Sequence, residues 1–239
     1  MIKLASSHCI AVFLLVVLRQ TTLYAQAQEL PTPLQVMERY MQVSGDFSRM
    51  ANTRILVSSD PFNGVVMDVE IIKDSTNRMR QTVVVYDSAR SKKLSETITI
   101  YSRGKAIKIE DGKKEPVTDI KLLDEMQLYS YMFSEVAYNK ENFKLEMEGI
   151  ETIKNSDYYR IKSTSPNGIV RTNYYDKATG FLVYIDNEEV KSHLMDYQKI
   201  NGLMYPMATY TEGANGAVFT LRIKAIYSNE KLKPGLFNL

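Results

Sequence analysis

Apolar and polar residues alternate with a period of two over most of the chain after Thr53. Val65, Met67, Val69 and Ile71 interleave with Val66, Asp68, Glu70 and Ile72. Val83 with Val85, Ile98 with Ile100 and Ile107 with Ile109 continue the pattern. So do Phe143, Leu145 and Met147, then Phe181, Val183 and Ile185, and last Phe219, Leu221, Ile223 and Ala225. Such alternation marks antiparallel strands with one buried and one wet face; parallel strands buried on both faces read as unbroken apolar runs. Asn-Gly at 63–64, 167–168, 201–202 and 215–216, with Asp111-Gly112, supplies the dipeptides that tight hairpins prefer. About ten or eleven strands are predicted.

Two segments switch to helical spacing. In the first, Thr32 is an N-cap, Pro33 suits the first helical position and Gln35 completes a Thr-x-x-Gln capping box. Leu34, Met37, Tyr40 and Met41 form its apolar stripe, and Gly45 ends it. The second spans 119–138: Asp119 caps it, and Ile120, Leu123, Met126, Tyr129, Phe133 and Val136 recur every third or fourth residue. The order is therefore helix, strands, helix, strands, with no linker, repeat or low-complexity run. This predicts an α+β fold with one domain over 26–239. A long antiparallel meander must hide its inner face, which points to a single strongly curved sheet, a half-closed β-barrel with two helices on its concave side.

The first 25 residues read differently. Lys3 precedes a nine-residue apolar run, Ile10–Leu18, and small residues follow at Ala25 and Ala27. This is the pattern of a cleavable secretory signal, cut after Ala25 or Ala27. The run falls short of the roughly 20 apolar residues that a membrane-spanning helix needs. Cys9 precedes the run and leaves with the signal, so disulfide staples, thiol catalysis and cysteine-ligated metals are excluded from the remainder. The formal charge of +2 also belongs to this segment, through Lys3 and Arg19; beyond it 28 cations face 28 acids. A neutral domain has no field with which to collect nucleic acid.

Candidate chemistry is sparse. His193 is the only histidine beyond the signal, and the period of two turns it to water if Leu194 faces the core. The sequence contains no G-x-S-x-G, no H-E-x-x-H, no phosphate-binding loop and no EF-hand loop. Asp176-Lys-Ala-Thr-Gly180 reads as a hairpin turn, and Asp124 and Glu125 as a solvated helix face. No catalytic residue, metal site or cofactor is expected. Eleven methionines after the signal are more suggestive, because several fall on inward stripes and methionine adapts to irregular apolar partners. Such residues line an acyl-chain cavity or simply fill a core.

Two strings carry a family likeness. The first runs from Asp157-Tyr-Tyr-Arg-Ile-Lys to Thr172-Asn-Tyr-Tyr-Asp-Lys-Ala-Thr-Gly-Phe-Leu-Val183; the second is Asp196-Tyr-Gln-Lys-Ile-Asn-Gly-Leu-Met-Tyr-Pro206. With the element order and the ending at Leu236-Phe237, they resemble the LolA-like family of periplasmic lipoprotein carriers. The narrower likeness is to the branch labelled outer membrane lipoprotein-sorting protein. It covers most of residues 30–239 and is specific mainly in 157–237. In the carrier, a basic residue before a proline at a strand end is linked to holding and releasing cargo. The comparable place here reads Lys73-Asp74-Ser75, without the proline.

The resemblance implies a soluble, monomeric periplasmic protein that shields acyl chains of a lipoprotein or lipid for transfer to the outer membrane. It would receive cargo from an inner-membrane exporter and deliver it to an outer-membrane acceptor. Face assignment places Met67, Val69, Ile71, Val83, Val85, Ile98 and Ile100 on the cavity wall, and Met126, Tyr129 and Phe133 on a lid formed by 119–138. An envelope sensor of the same fold, acting through a protein partner, is the alternative. An enzyme on envelope polymers is a third reading, and it requires buried acids around the cavity.

Overall fold

The computed structural model describes residues 30–187, 189–213 and 216–239. The expected signal segment and its cleavage points lie outside the described residues. The chain runs through α1 (Pro33–Ser44), a 3₁₀ turn (Phe47–Arg49), β1 (Asn52–Ser59), β2 (Val65–Asp74), β3 (Met79–Asp87), β4 (Lys93–Ser102), β5 (Lys105–Glu110) and β6 (Lys113–Pro116). Two helices follow, α2 (Ile120–Ser130) and α3 (Ser134–Lys140). Then come β7 (Lys144–Ile153), β8 (Ser156–Thr164), β9 (Val170–Asp176), β10 (Leu182–Asn187), β11 (Val190–Ile200), β12 (Leu203–Gly213) and β13 (Val218–Ser228).

All thirteen strands form one curved, unclosed antiparallel sheet in the order 6-5-4-3-2-1-13-12-11-10-9-8-7. The chain enters at the middle with β1, meanders out to the β6 edge and crosses by α2 and α3 to the β7 edge. It then meanders back until β13 pairs with β1. The single long crossover is thus helical, and it lays α2 and α3 across one face, called inner here.

Local chemistry explains the elements. The Thr32 side chain accepts from Gln35 N (3.3 Å) and Gln35 Oε1 accepts from Thr32 N (2.8 Å), the expected capping box. Asp119 Oδ1 accepts from the first free amides of α2, on Lys121 (2.8 Å) and Leu122 (3.3 Å). Asn63-Gly64 and Asn201-Gly202 both take positive φ at each residue, the twist a two-residue hairpin requires.

Three differences from the sequence reading have identifiable causes. Thirteen strands are present rather than ten or eleven, in part because β6, Lys-Lys-Glu-Pro, is exposed throughout and has no alternation to betray it. The helix expected over 119–138 is two helices. Tyr131 takes an extended conformation (φ −67°, ψ 146°), and Phe133 starts α3 with no side-chain cap. Strand bulges also move side chains. The register slips between Leu56 and Val57, so that Ile226 rather than Ala225 faces Ile55 in the core, and between Leu182 and Tyr184, so that Leu182 is the buried residue of β10.

Four apolar clusters hold the unit. The largest joins α1, α2 and α3 to β8–β10 through Met37, Tyr40, Leu128, Phe133, Tyr138, Ile161 and Tyr175. A second surrounds Met50, Leu203, Tyr205 and Ile226. A third seats Met126 on Met79, Tyr101 and Ala106. The fourth lies on the opposite face, where Leu232, Leu236 and Phe237 fold back over Ile72, Ile98, Ile100, Ile107 and Ile109.

Candidate functional site

Pairing register fixes which side chains share the inner face. Val83 lies opposite Val69, Val69 opposite Val57, and Val57 opposite Ile223, one apolar row across four strands. The next row holds Val85 opposite Met67, with Ser59 leading on to Leu221. Ser59 Oγ accepts from the Met67 amide (2.8 Å), which leaves the methionine side chain as the apolar element of its row. Val69 is 8 % exposed, and Met67, Val83, Val85 and Val57 are half-buried. None of these five belongs to any of the four clusters. They form an apolar band beside the helices that helix packing does not consume.

Of the expected wall residues, Met67, Val69, Ile71, Val83 and Val85 therefore share one face. Ile71 sits lower, packed against the Met126 cluster. Ile98 and Ile100 do not join them. Thr97 pairs with Val83 and Thr99 with Gln81, so the inner positions of β4 are Thr97, Thr99 and Tyr101, and both isoleucines point the other way under Leu236 and Phe237. The alternation marked the buried side of β4 correctly but assigned it to the wrong layer, since the closing segment supplies a second cover. The expected lid residues also separate. Met126 packs on the first half of the sheet, Phe133 is 8 % exposed among the helices, and Tyr129 is 39 % exposed, its ring 5.1 Å from the Arg171 guanidinium.

The helix break is held from the sheet. Lys73 Nζ, on the inner face of β2, donates to the Tyr131 carbonyl (3.2 Å), and Thr53 Oγ1 next to it lies 3.6 Å from Met132 Sδ. Burial depresses the Lys73 ammonium to about 8, opposed by the Glu135 carboxylate nearby. Beside the break is a cavity of about 480 Å³, lined by Met41, Phe47, Met50, Met132, Phe133 and Val136, with Ser75, Asn77 and Lys140 also on its wall.

Under α3 lies a buried polar ladder that sequence reading missed. Arg171, Asn173 and Tyr175 occupy alternate positions of β9 and face α2 and α3. Tyr175 Oη donates to Glu135 Oε1 (3.0 Å), and Asn173 Nδ2 donates to Tyr138 Oη (2.8 Å). Burial raises the Glu135 carboxyl to about 7 against the opposing help of the Tyr175 hydroxyl. Arg171 is 7 % exposed and lies 3.6 Å from Glu125. Asp124, expected on a wet face, is instead buried and accepts from Ser165 Oγ (2.5 Å) and Asn167 Nδ2 (2.6 Å). The only sequence signal was the polar interruption of β9 at Arg171 and Asn173, which reads equally well as an exposed face.

His193 lies on the outer face, as the period of two required, but it is half-buried. Its ring stacks on Tyr184 at 4.4 Å, and burial beside Lys154 lowers its pKa. Asp176 closes a hairpin turn by accepting from Thr179 N (2.6 Å). Among the described residues no cluster of His, Cys, Asp and Glu suits a metal ion, and no helix is long and apolar enough to cross a membrane.

No family model matches the sequence, and no curated protein matches it. Solved structures do match in shape. A domain described as an outer membrane lipoprotein-sorting protein from Vibrio parahaemolyticus superposes with a TM-score of 0.58 at 8 % identity, over 86 % of this chain and 95 % of that one. A LolA superfamily protein from Nitrosomonas europaea gives 0.57 at 11 % identity, over 88 % and 99 %. A DUF1329 family protein from Desulfovibrio piger gives 0.55 at 12 %, over 86 % and 95 %. At such identities the likeness is one of architecture: this chain has the LolA-like fold, an unclosed antiparallel sheet with helices on one face.

Proposed function

We propose that this protein is a non-enzymatic carrier that shields acyl chains of a lipid or lipoprotein against the inner face of its sheet. The observation that carries the reading is the band of Val57, Met67, Val69, Val83 and Val85, apolar, partly open and outside every packed cluster. Burying an acyl chain gains about 0.8 kcal/mol per CH₂, so even a short band has useful affinity. The methionine-lined cavity at the helix break adds a second apolar compartment that adjusts to chain shape. Lys73 ties the helix break to the sheet through the Tyr131 carbonyl, at a strand end that lacks the proline of the family pattern.

In this reading the protein works as a monomer in the periplasm after signal removal. It takes cargo from an inner-membrane exporter and passes it to an outer-membrane acceptor. Titration with a fluorescent long-chain fatty acid tests the proposal. Saturable binding to the wild type, lost in Val83→Asp with strand content intact, supports it. Absence of binding, or equal binding by Val83→Asp, overturns it.

A further inference from the structure

A row of aromatic rings crosses the outer face of β9–β12. Tyr174 lies directly opposite Tyr184, Tyr184 opposite His193, and His193 opposite Tyr210. Neighbouring strands lie about 4.8 Å apart, so the row is about 14 Å long. Tyr184 stacks on His193 at 4.4 Å and meets Tyr174 edge to face at 6.1 Å, while the Tyr158 ring braces it at 5.5 Å. None of these residues belongs to the four apolar clusters that hold the fold, and Tyr210 is 38 % exposed. All four rings of the row line a groove of about 350 Å³, and Ile153 and Lys154, at the tip of the β7–β8 hairpin, wall one side of it.

The polar groups of the row are uncommitted. Among the described residues, no hydrogen bond engages Tyr174 Oη, Tyr210 Oη or either ring nitrogen of His193. Burial beside Lys154 lowers the His193 pKa, so the imidazole is neutral at pH 7. A phenol and a neutral imidazole each offer both a donor and an acceptor. Their counterpart is a hydroxyl, which also does both, whereas an ammonium only donates and a carboxylate only accepts.

The charges around the groove select no ion. Glu151, Asp186 and Glu212 stand against Lys154 and Lys191. Asp186 pairs with Lys191 at 3.4 Å and Glu151 with Arg160 at 3.2 Å, which leaves Glu212 and Lys154, of opposite sign. Such a wall suits a ligand that is uncharged, rich in hydroxyls and able to pack C–H groups on aromatic rings.

We propose that this groove binds an uncharged pyranose glycan, whose C–H groups pack on the aromatic row and whose hydroxyls bond to Tyr174, His193 and Tyr210. The row has about the length of three linked pyranose rings. The site lies on the opposite side of the sheet from the acyl-binding band and does not depend on the carrier reading.

The test titrates the whole protein with cellotriose, maltotriose and chitotriose, read by calorimetry and by proton NMR at about pH 7.5, where His193 is neutral. The chain has 2 histidines, so the His193 ring signals are those that disappear in His193→Gln. At least one trisaccharide should bind saturably and shift these signals. Tyr174→Ala and Tyr210→Ala, each confirmed folded by its melting curve, should each weaken that ligand by about tenfold. Val83→Asp, on the inner face, should bind it as the wild type does.

No saturable binding of any of the three, binding that leaves the His193 signals unmoved, or indifference to both alanine variants overturns the site. So does loss of binding in Val83→Asp, which would put the sugar on the inner face. Binding of trigalacturonate or of the chitosan trimer about tenfold tighter than the neutral sugars overturns the uncharged class. Fatty-acid binding without trisaccharide binding would sink this site alone; the converse would sink the carrier and keep it.

Discussion

The ammonium of Lys73 on β2 donates to the main-chain carbonyl of Tyr131, at the point where the helical crossover breaks in two. The bond joins the first half of the sheet to helices whose main cluster lies on the second half. Lys73→Met should therefore loosen the break more than the fold. Amides of 131–140 should exchange faster by hydrogen–deuterium exchange, while the melting temperature falls little. Lys73→Arg should restore protection, because it keeps a donor at the same place.

Glu135 makes stability depend on pH. Its folded pKa, about 7, lies above the ordinary carboxylate value, so the folded state holds the proton more tightly. That contribution is full below about pH 4.5 and is lost as pH rises through 7. The free energy of unfolding from denaturant titrations should decline between about pH 5 and 8, by an amount on the order of 2 kcal/mol. Glu135→Gln should flatten this slope. An unchanged slope would place the titration elsewhere.

The two faces of the sheet can be told apart by matched charges. Val83→Asp should abolish fatty-acid binding with modest loss of stability, since Val83 is half-buried and unpacked by any cluster. Ile100→Asp should do the reverse. It places a charge at a residue 3 % exposed beneath Phe237, so the protein should unfold several kcal/mol more easily. If folded Ile100→Asp protein is recovered, its ligand affinity should be unchanged.

Gly45 ends α1 at φ +104°, and a Cβ there would lie 2.7 Å from the Gly202 carbonyl oxygen. The hairpin at Asn201-Gly202 is backbone at that point and has no side chain to move aside. Gly45→Ala should cost about 1–3 kcal/mol in urea unfolding, through both the φ and the clash. Gly64→Ala, with nothing within 4 Å, should cost less.

Much of this was legible in the sequence. Both helix starts, at Thr32 and Asp119, were readable because capping is local chemistry. The strand faces of β2 and β3 were readable because they pair without a bulge over Met67–Val85 and Val69–Val83. Ile98 and Ile100 were not, because alternation reports that one side is covered and not by what. The cover came from Phe237, more than 130 residues away in the chain. The polar ladder was hidden for a related reason. Asn173 and Glu135 look like solvated positions until a helix 40 residues distant brings them together with Tyr175.

The meeting of β1 with β13 has a kinetic consequence. Every other strand pair joins neighbours in sequence, so each half of the sheet can zip from its own hairpins. The β1–β13 seam instead pairs Thr53 with Ser228, 175 positions apart. Closing a loop of that length costs about 4–5 kcal/mol in chain entropy before any seam contact forms. The seam should therefore be the last junction to form, and in the folded protein Arg54 bridges Glu70 of one half and Glu230 of the other there. Mutations there should slow folding, where equal losses elsewhere would mainly hasten unfolding.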